Sequence, residues 1–317
     1  MKKTVVWIMA LCMALVCVLT ACAPASQSKM TMGTGGPSGT YYAFGGVLGQ
    51  HIGQQTGIAV NVVTTDGSKA NILGVHSGNY QLATVQSDVM AYAVEGLRSF
   101  EAEGAIDSFR VIGGLYDEAV QLVTMNPDIR SVADLAGKKV SIGAAGSGVY
   151  FNAVDVLQAA GLSEADIQPQ YQSFADSADA LKDGKIDAAF IVAGAPTPAI
   201  EELCTGTDAF LVPIDGAVAE KLMAECPFYT VCTIPAGTYK GQREDVATVT
   251  VKATMIVSAA ASEDDVYALT KAIFDDPAAI AHAKAAELSA ENAVVGMTAP
   301  FHPGAVKYFA EKGITVN

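Results

Sequence analysis

From Lys29 onward the chain alternates short apolar runs with stretches whose apolar residues recur every three or four positions. The runs predict strands at 29–32, 58–64, 82–85, 111–115, 120–125, 140–142, 188–192, 210–212 and 246–258, the last a long β-branched stretch. Between them, Phe44, Val47, Leu48 and Ile52 fall on one face of a helix, and Phe151, Val154 and Leu157 on one face of another that ends before Gly161. Further helices are predicted at 68–76, after Ser87, and at 175–181, 199–203, 263–275 and 303–312, with a helical turn at 131–135. Strand and helix in alternation predict an α/β fold with mainly parallel sheets. The length of 317 residues suits two domains of roughly 100–200 residues each.

Two strand–loop–helix units carry the candidate chemistry. Their loops, 33–40 (GTGGPSGT) and 143–148 (GAAGSG), are built almost wholly of Gly, Ala, Ser and Thr. At a helix N-terminus the first backbone N–H groups lack intrahelical partners and the dipole makes that end partly positive. Glycine lets the backbone approach a ligand, and Ser or Thr adds a hydroxyl donor, so such a turn holds a phosphate or carboxylate without a basic side chain. A tight βα turn with no ligand is the plainer reading of either loop alone. Two loops suggest one anion-binding helix end per domain, facing across a cleft. The spacing of Gly33, Gly35 and Gly39 is one residue too long for a dinucleotide fingerprint, and no phosphate-loop lysine precedes a Ser or Thr.

Ser68 reads as a helix N-cap or a ligand contact, and Asn71 as an amide aimed at the cleft. Gln86 and Ser87 stand where a strand ends, the place where open α/β sheets bind ligands. Asp88 reads as a helix cap or a partner of the helix dipole rather than an anion contact, and Lys69 as a solvated lysine or the partner of a second carboxylate.

Composition narrows the partners. With 19 Lys+Arg against 33 Asp+Glu the net charge is −14, and only Arg98, Arg110, Arg130 and Arg243 are arginines, so no clustered cations offer themselves to a nucleic acid. Apolar residues at 51% and charged residues at 16% supply large cores. An acidic surface repels anions at long range, so an anion site must work through local donors. The start of the chain reads as an address. Lys2 and Lys3, an apolar core over 5–19 and the close Leu19-Thr20-Ala21-Cys22 form an export signal over 1–21 ending in a lipobox, with a diacylglycerol expected on the Cys22 thiol and a tether over 22–29. Cys204, Cys226 and Cys232 then remain, and either a Cys204–Cys226 disulfide or three thiols fits an exported chain. No metal-ligand spacing occurs among the scattered histidines, and no cofactor is expected.

The chain resembles the TAXI-type solute receptors of tripartite ATP-independent periplasmic (TRAP) transporters. The segments that carry the resemblance are MGTGGPSGTYYAFGGV (32–47), TTDGSKANIL (64–73), QLATVQSDV (81–89), SVADLAGKKVSIGAAGSGVY (131–150), DGKIDAAFIVAGAPT (183–197), IPAGTYKGQ (234–242) and PFHPGAVKYFAEKGI (300–314). The resemblance implies a type II periplasmic-binding-protein fold, with 30–122 plus 254–317 as one lobe, 123–253 as the other, and hinges near 118–126 and 246–257. It implies a monomer that hands glutamate or a C5 dicarboxylate such as 2-oxoglutarate to a fused TRAP permease. Its site residues, carried over by motif, are Ser38, Gly39, Thr40, Tyr41, Ser68, Asn71, Gln86, Ser87, Ser147, Gly148, Val149 and Gly194. Where many relatives continue Gly-Ser-Gly-Thr-Glu, this chain has Val149 and Tyr150, losing a hydroxyl donor and an acid. One of Tyr41 and Tyr42 is expected to line the pocket, and His302 to serve a turn and helix start.

The function expected is therefore extracytoplasmic capture of a small organic anion without turnover. The same fold and anchor also suit a receptor of an ABC importer, and a surface antigen or adhesin without a transport role is the alternative of another class. An enzyme is disfavoured, because no Gly-x-Ser-x-Gly elbow exists and no histidine has an evident acid and nucleophile to complete a triad.

Overall fold

The structure, a computed structural model, describes residues 28–317. The expected signal over 1–21, Cys22 and most of the expected tether lie outside the described residues.

One ten-stranded sheet runs through the molecule, and two long strands carry it from one half to the other. The first half holds β1 (Lys29–Gly33), β2 (Ala59–Val63) and β3 (Leu82–Gln86), interleaved with α1 (Thr40–Thr56), α2 (Ser68–His76) and α3 (Ser87–Glu95). Strand β4 (Phe109–Thr124) leads into the second half, made of β5 (Lys139–Ser141), α4 (Val149–Ala159), β6 (Gln168–Gln170), α5 (Phe174–Lys182), β7 (Ala188–Ala193), α6 (Pro198–Gly206), β8 (Phe210–Val212), α7 (Gly216–Glu225) and β9 (Thr230–Ile234). Strand β10 (Val246–Ser258) returns to the first half, where α8 (Glu263–Phe274) and α9 (Pro303–Glu311) complete it.

The order β2-β1-β3-β10-β4-β7-β5-β6 shows how the crossing works. Strands β4 and β10 run antiparallel side by side, from Phe109↔Ser258 to Ala119↔Thr250. In the second half β4 pairs with β7 and β8, and β10 with β9, all antiparallel. Among the named strands of the described residues, parallel pairing is confined to β1/β2, β1/β3, β5/β6 and β5/β7. The expectation of mainly parallel sheets is corrected accordingly: the crossing strands serve both halves, and each meets its neighbours head to tail. The strands expected at 111–115 and 120–125 are one element. The polar pair Asp117-Glu118, which reads as a break, is where β4 crosses between the halves.

Local chemistry explains the elements that frame the cleft. On α1, Phe44, Leu48 and Ile52 recur every fourth residue and are wholly buried, and the helix ends on left-handed Gly57, whose N–H returns to Gly53 O. β3 is buried along its whole length, between β1 and β10. His302 starts α9, its Nδ1 accepting from Gly304 N, as the sequence suggests. The apolar cores divide where the long strands cross. Leu115 and Tyr116 pack with the first half, and Val120 and Leu122 with the second; on β10, Val251 packs with the second half and Ala253 with the first. We propose this change of core, between Tyr116 and Val120 on β4 and between Val251 and Ala253 on β10, as the lobe division. Cys204, Cys226 and Cys232 are free thiols, so the Cys204–Cys226 pairing is not formed.

Helices α8 and α9 cross closely enough to require a glycine. A Cβ on Gly304 would lie 2.3 Å from Glu263 O and 2.6 Å from Tyr267 N, both backbone atoms that cannot swing aside. Gly304→Ala is expected to cost about 1–3 kcal/mol and several degrees of Tm. A denaturation curve superimposable on that of the parent would show that the crossing yields.

Candidate functional site

The two small-residue loops open onto one cleft of about 330 Å³ between the halves. Its walls include Gly35, Gly36, Gly39, Thr40 and Tyr41 from the first loop and α1, and Ala144, Ser147, Gly148 and Val149 from the second loop and α4. Ser68 and Gln86 line it from α2 and the end of β3. Eight of the twelve site residues expected from sequence therefore share one hollow, Gly39, Thr40, Tyr41, Ser68, Gln86, Ser147, Gly148 and Val149. The other four stand behind it, holding its walls.

Those four are placed by hydrogen bonds. Ser38 O accepts from Ala199 N at 3.1 Å, and Gly194 O accepts from Thr40 Oγ1 at 2.8 Å, so both join the first loop to the second half. Asn71 does not aim its amide at the cleft. Its Nδ2 donates to Thr34 O and Thr84 O, tying β1 to β3, while its Oδ1 accepts from Thr65 Oγ1. Ser87 Oγ accepts from Lys252 N across the sheet. Ser68 is the first residue of α2, not its cap; the cap position is Gly67, and Ser68 Oγ accepts from Gln86 N. Lys69 lies away from the cleft, its Nζ donating to Ser99 O and paired with Glu103 at 3.4 Å.

The cleft offers donors of the kind the loops promise. Among the described residues, the N–H groups of Thr40 and Tyr41 at α1, and of Gly148, Val149 and Tyr150 at α4, find no protein acceptor. The start of α2 is already occupied. The N–H groups of Lys69 and Ala70 donate to Gly146 O of the facing loop, at 3.1 and 3.3 Å, so one half caps a helix of the other. Ser147 Oγ and the Oε1 atoms of Gln86 and Gln172 are buried without a partner. Among the described residues, neither lysine nor arginine lines the cleft.

Sequence reasoning missed Asp66, Glu118, Gln172, Ser173 and Phe174, which also line the cleft. Glu118 is the most unusual. Two bulges on β4, in the spans facing Lys252–Thr254 and Met255–Ile256, shift the register just before it. Glu118 is 2% exposed, and Tyr41 Oη donates to its Oε2 at 2.7 Å. Burial pushes the Glu118 carboxyl well above the usual range, and the Tyr41 phenol upward as well. Tyr41 is thus the tyrosine of the cleft, and Tyr42, 37% exposed, faces outward. Tyr150 turns away too, its Oη donating to Glu164.

Behind the cleft a second set of side chains joins the halves. Gln86 Nε2 donates to Asn152 Oδ1 at 2.9 Å, and Asn152 Nδ2 to Asp88 Oδ2 at 2.9 Å. Arg98 is ion-paired with Asp155, which also accepts from Tyr229 Oη. Asp88 caps no helix with its side chain but stands in the first turn of α3, the place of a dipole partner. Its burial raises its pKa to about 7.

A model of the NMT1-like family matches residues 32–313. The chain belongs to the NMT1-like family. This corrects the TAXI resemblance, and with it go the fused TRAP permease and the glutamate or C5 dicarboxylate that only the resemblance supplied. Glycine-rich βα turns recur wherever helix ends must face a ligand, so they mark the architecture without fixing the branch. Among solved structures, this NMT1-like chain is similar to the alkanesulfonate-binding protein SsuA from Xanthomonas axonopodis pv. citri bound to MOPS, 19% identical over 90% of this chain and 84% of that one, with a TM-score of 0.51. It is also similar to a protein from Bordetella bronchiseptica RB50, 18% identical over 89% of each chain, TM-score 0.54. A third is an ancestral arginine-binding protein bound to glutamine, 15% identical over 83% of this chain and 98% of that one, TM-score 0.50. The fold is the type II periplasmic-binding-protein fold.

Proposed function

We propose that this chain is an extracytoplasmic solute-binding protein that clamps a small organic anion between the N-termini of α1 and α4. It would hand that anion to the membrane subunits of an ABC-type importer. The observation that carries the reading is the single hollow shared by the two small-residue loops, with the unpaired N–H groups of both helix ends beside it. The NMT1-like family and the fold it shares with SsuA support a solute-binding role, and the export-signal pattern that ends in the Leu19–Cys22 lipobox supports an extracytoplasmic place with an anchor at Cys22. Among the described residues, the cleft's polar lining offers donors and acceptors with no histidine or cysteine among them, which suits holding a ligand better than turning it over.

Native mass spectrometry of freshly purified protein tests the reading directly, with a bound small anion as the expected result. A protein that carries nothing, and that no metabolite stabilises against heat, would point instead to a surface antigen or adhesin. Reconstitution separates the transport partners: uptake that requires a partner ATPase is expected, and uptake without one would refute the ABC assignment.

Ser147 gives a finer test. Its hydroxyl is buried and unpartnered, so Ser147→Ala removes an orphan from the empty protein and a donor from the complex. Affinity for the co-purifying solute is expected to fall by about 3–10-fold while the Tm of the empty protein holds or rises. Calorimetry showing an unchanged affinity would take Ser147 out of the site.

A further inference from the structure

The helix ends account for a negative group on the solute, but they leave the opposite character of the cleft unexplained. Glu118 is buried in its wall with a single protein donor, Tyr41 Oη on Oε2; among the described residues nothing donates to Oε1. A cation nearby favours its charged form but donates no hydrogen bond to it. The nearby Lys284 is committed to Glu287, with its Nζ 2.6 Å from Oε1 of that residue, and lies over the ring of Tyr116. Asp88 and Asp117 add negative charge, and Tyr116 is a further neutral neighbour. Gln172 Oε1, a second acceptor on the same cleft, is buried without a donor. A buried carboxyl with an open oxygen is costly unless something arrives to pair with it.

We infer that the solute is a zwitterion of the amino-acid class, its anionic group held by the N–H groups of α1 and α4 and its ammonium group by Glu118. This rests on the reading of the cleft as a solute site. An ammonium carries three donors and a positive charge, the complement of Glu118 Oε1 and Gln172 Oε1. It also restores the charged form of Glu118, which burial in the empty cleft disfavours. Tyr41 sets the geometry: it belongs to the first turn of α1, whose N–H groups take the anion, and its hydroxyl fixes the carboxyl that takes the cation. A dicarboxylate would instead need Glu118 to stay protonated and donate to it.

The experiment compares each common L-amino acid with the 2-oxo acid of the same carbon skeleton, by calorimetry on the purified protein after exhaustive removal of bound solute. At least one amino acid is expected to bind about 100-fold more tightly than its 2-oxo partner. Glu118→Gln keeps the volume and the acceptor for Tyr41 but not the charge. It should lower that amino-acid affinity about 100-fold and leave 2-oxo acids within about threefold. A 2-oxo acid that binds as tightly as its amino acid, a Glu118→Gln variant that binds the amino acid as well as the parent, or no binding in either series would overturn the inference. The two readings fail separately. A solute without an amine, identified by mass spectrometry and weakened by Ser147→Ala, would remove the ammonium and leave the two-helix clamp standing.

Discussion

Gly148→Val is expected to abolish solute-driven closure, lowering affinity at least about 100-fold while the fold survives. Gly148 sits where the second loop enters α4, and the first half presses directly onto it. A Cβ there would lie 1.4 Å from Oε1 and 2.5 Å from Cδ of Gln86, and 3.1 Å from Cγ2 of Val89. The end of a glutamine side chain ordinarily moves aside at little cost. This one is buried, and its Nε2 donates to Asn152 across the halves, so displacing it breaks a bond that exists only when they meet. Gly148 has φ −72° and ψ −24°, ordinary helical values that valine adopts, so the second half alone is unstrained. The cost therefore falls on closure. Calorimetry with the co-purifying solute measures the affinity, and small-angle scattering measures the contraction on binding. Parent-like values in both would show that the halves need not approach as closely as Gln86 and Gly148 do.

The same residues show what a sequence discloses about such a site. Local signals were enough for the loops, because a run of Gly, Ala and Ser ahead of an amphipathic helix is contiguous and its chemistry is backbone chemistry. The helix face of Phe44, Leu48 and Ile52 and the β-branched run of β10 were equally legible, since each follows one period throughout. Glu118 was not legible. It reads as a polar interruption between two strands, and only the pairing of β4 with both β10 and β7 makes it the floor of a cleft. Gln172, from the loop before α5, and Phe174, the first residue of that helix, arrive from the other half for the same reason, by tertiary placement without a motif. Asn71, Ser87 and Gly194 sit within the quoted motifs yet spend their polar groups on other parts of the wall. A motif position marks a residue the site depends on, which is not always one that touches the solute.

Arg98→Met is expected to lower solute affinity by about 30–150-fold, because Arg98 is the cation that crosses between the halves. It follows α3 in the first half, and its partner Asp155 lies on α4 in the second. Nη1 also donates to Tyr92 Oη at 3.1 Å, and the guanidinium stacks over the rings of Tyr92 and Phe151. Among the described residues Arg98 is the sole non-glycine at positive φ, 55°, a conformation that costs about 1–3 kcal/mol unless its surroundings hold it. That strain, at a residue whose charge is spent across the cleft, points to closure as its purpose. The side chain of Asp155 is 1% exposed, so losing the cation would leave a buried carboxylate with only Tyr229 and its neighbours. One-sided removal of a buried pair costs about 3–5 kcal/mol, reduced here to about 2–3 because Arg98 is 30% exposed and partly screened. When the halves part, water reaches Asp155, so the penalty belongs to the closed form and appears as lost affinity. Methionine keeps the apolar stem against the two rings. The double variant Arg98→Met/Asp155→Asn should therefore recover affinity to within about fivefold of the parent, since no charge is then stranded. Equal losses in the single and double variants would show that the pair is not coupled. A ligand-free Tm that falls as far as the affinity would show that Arg98 holds the fold instead of the closed state.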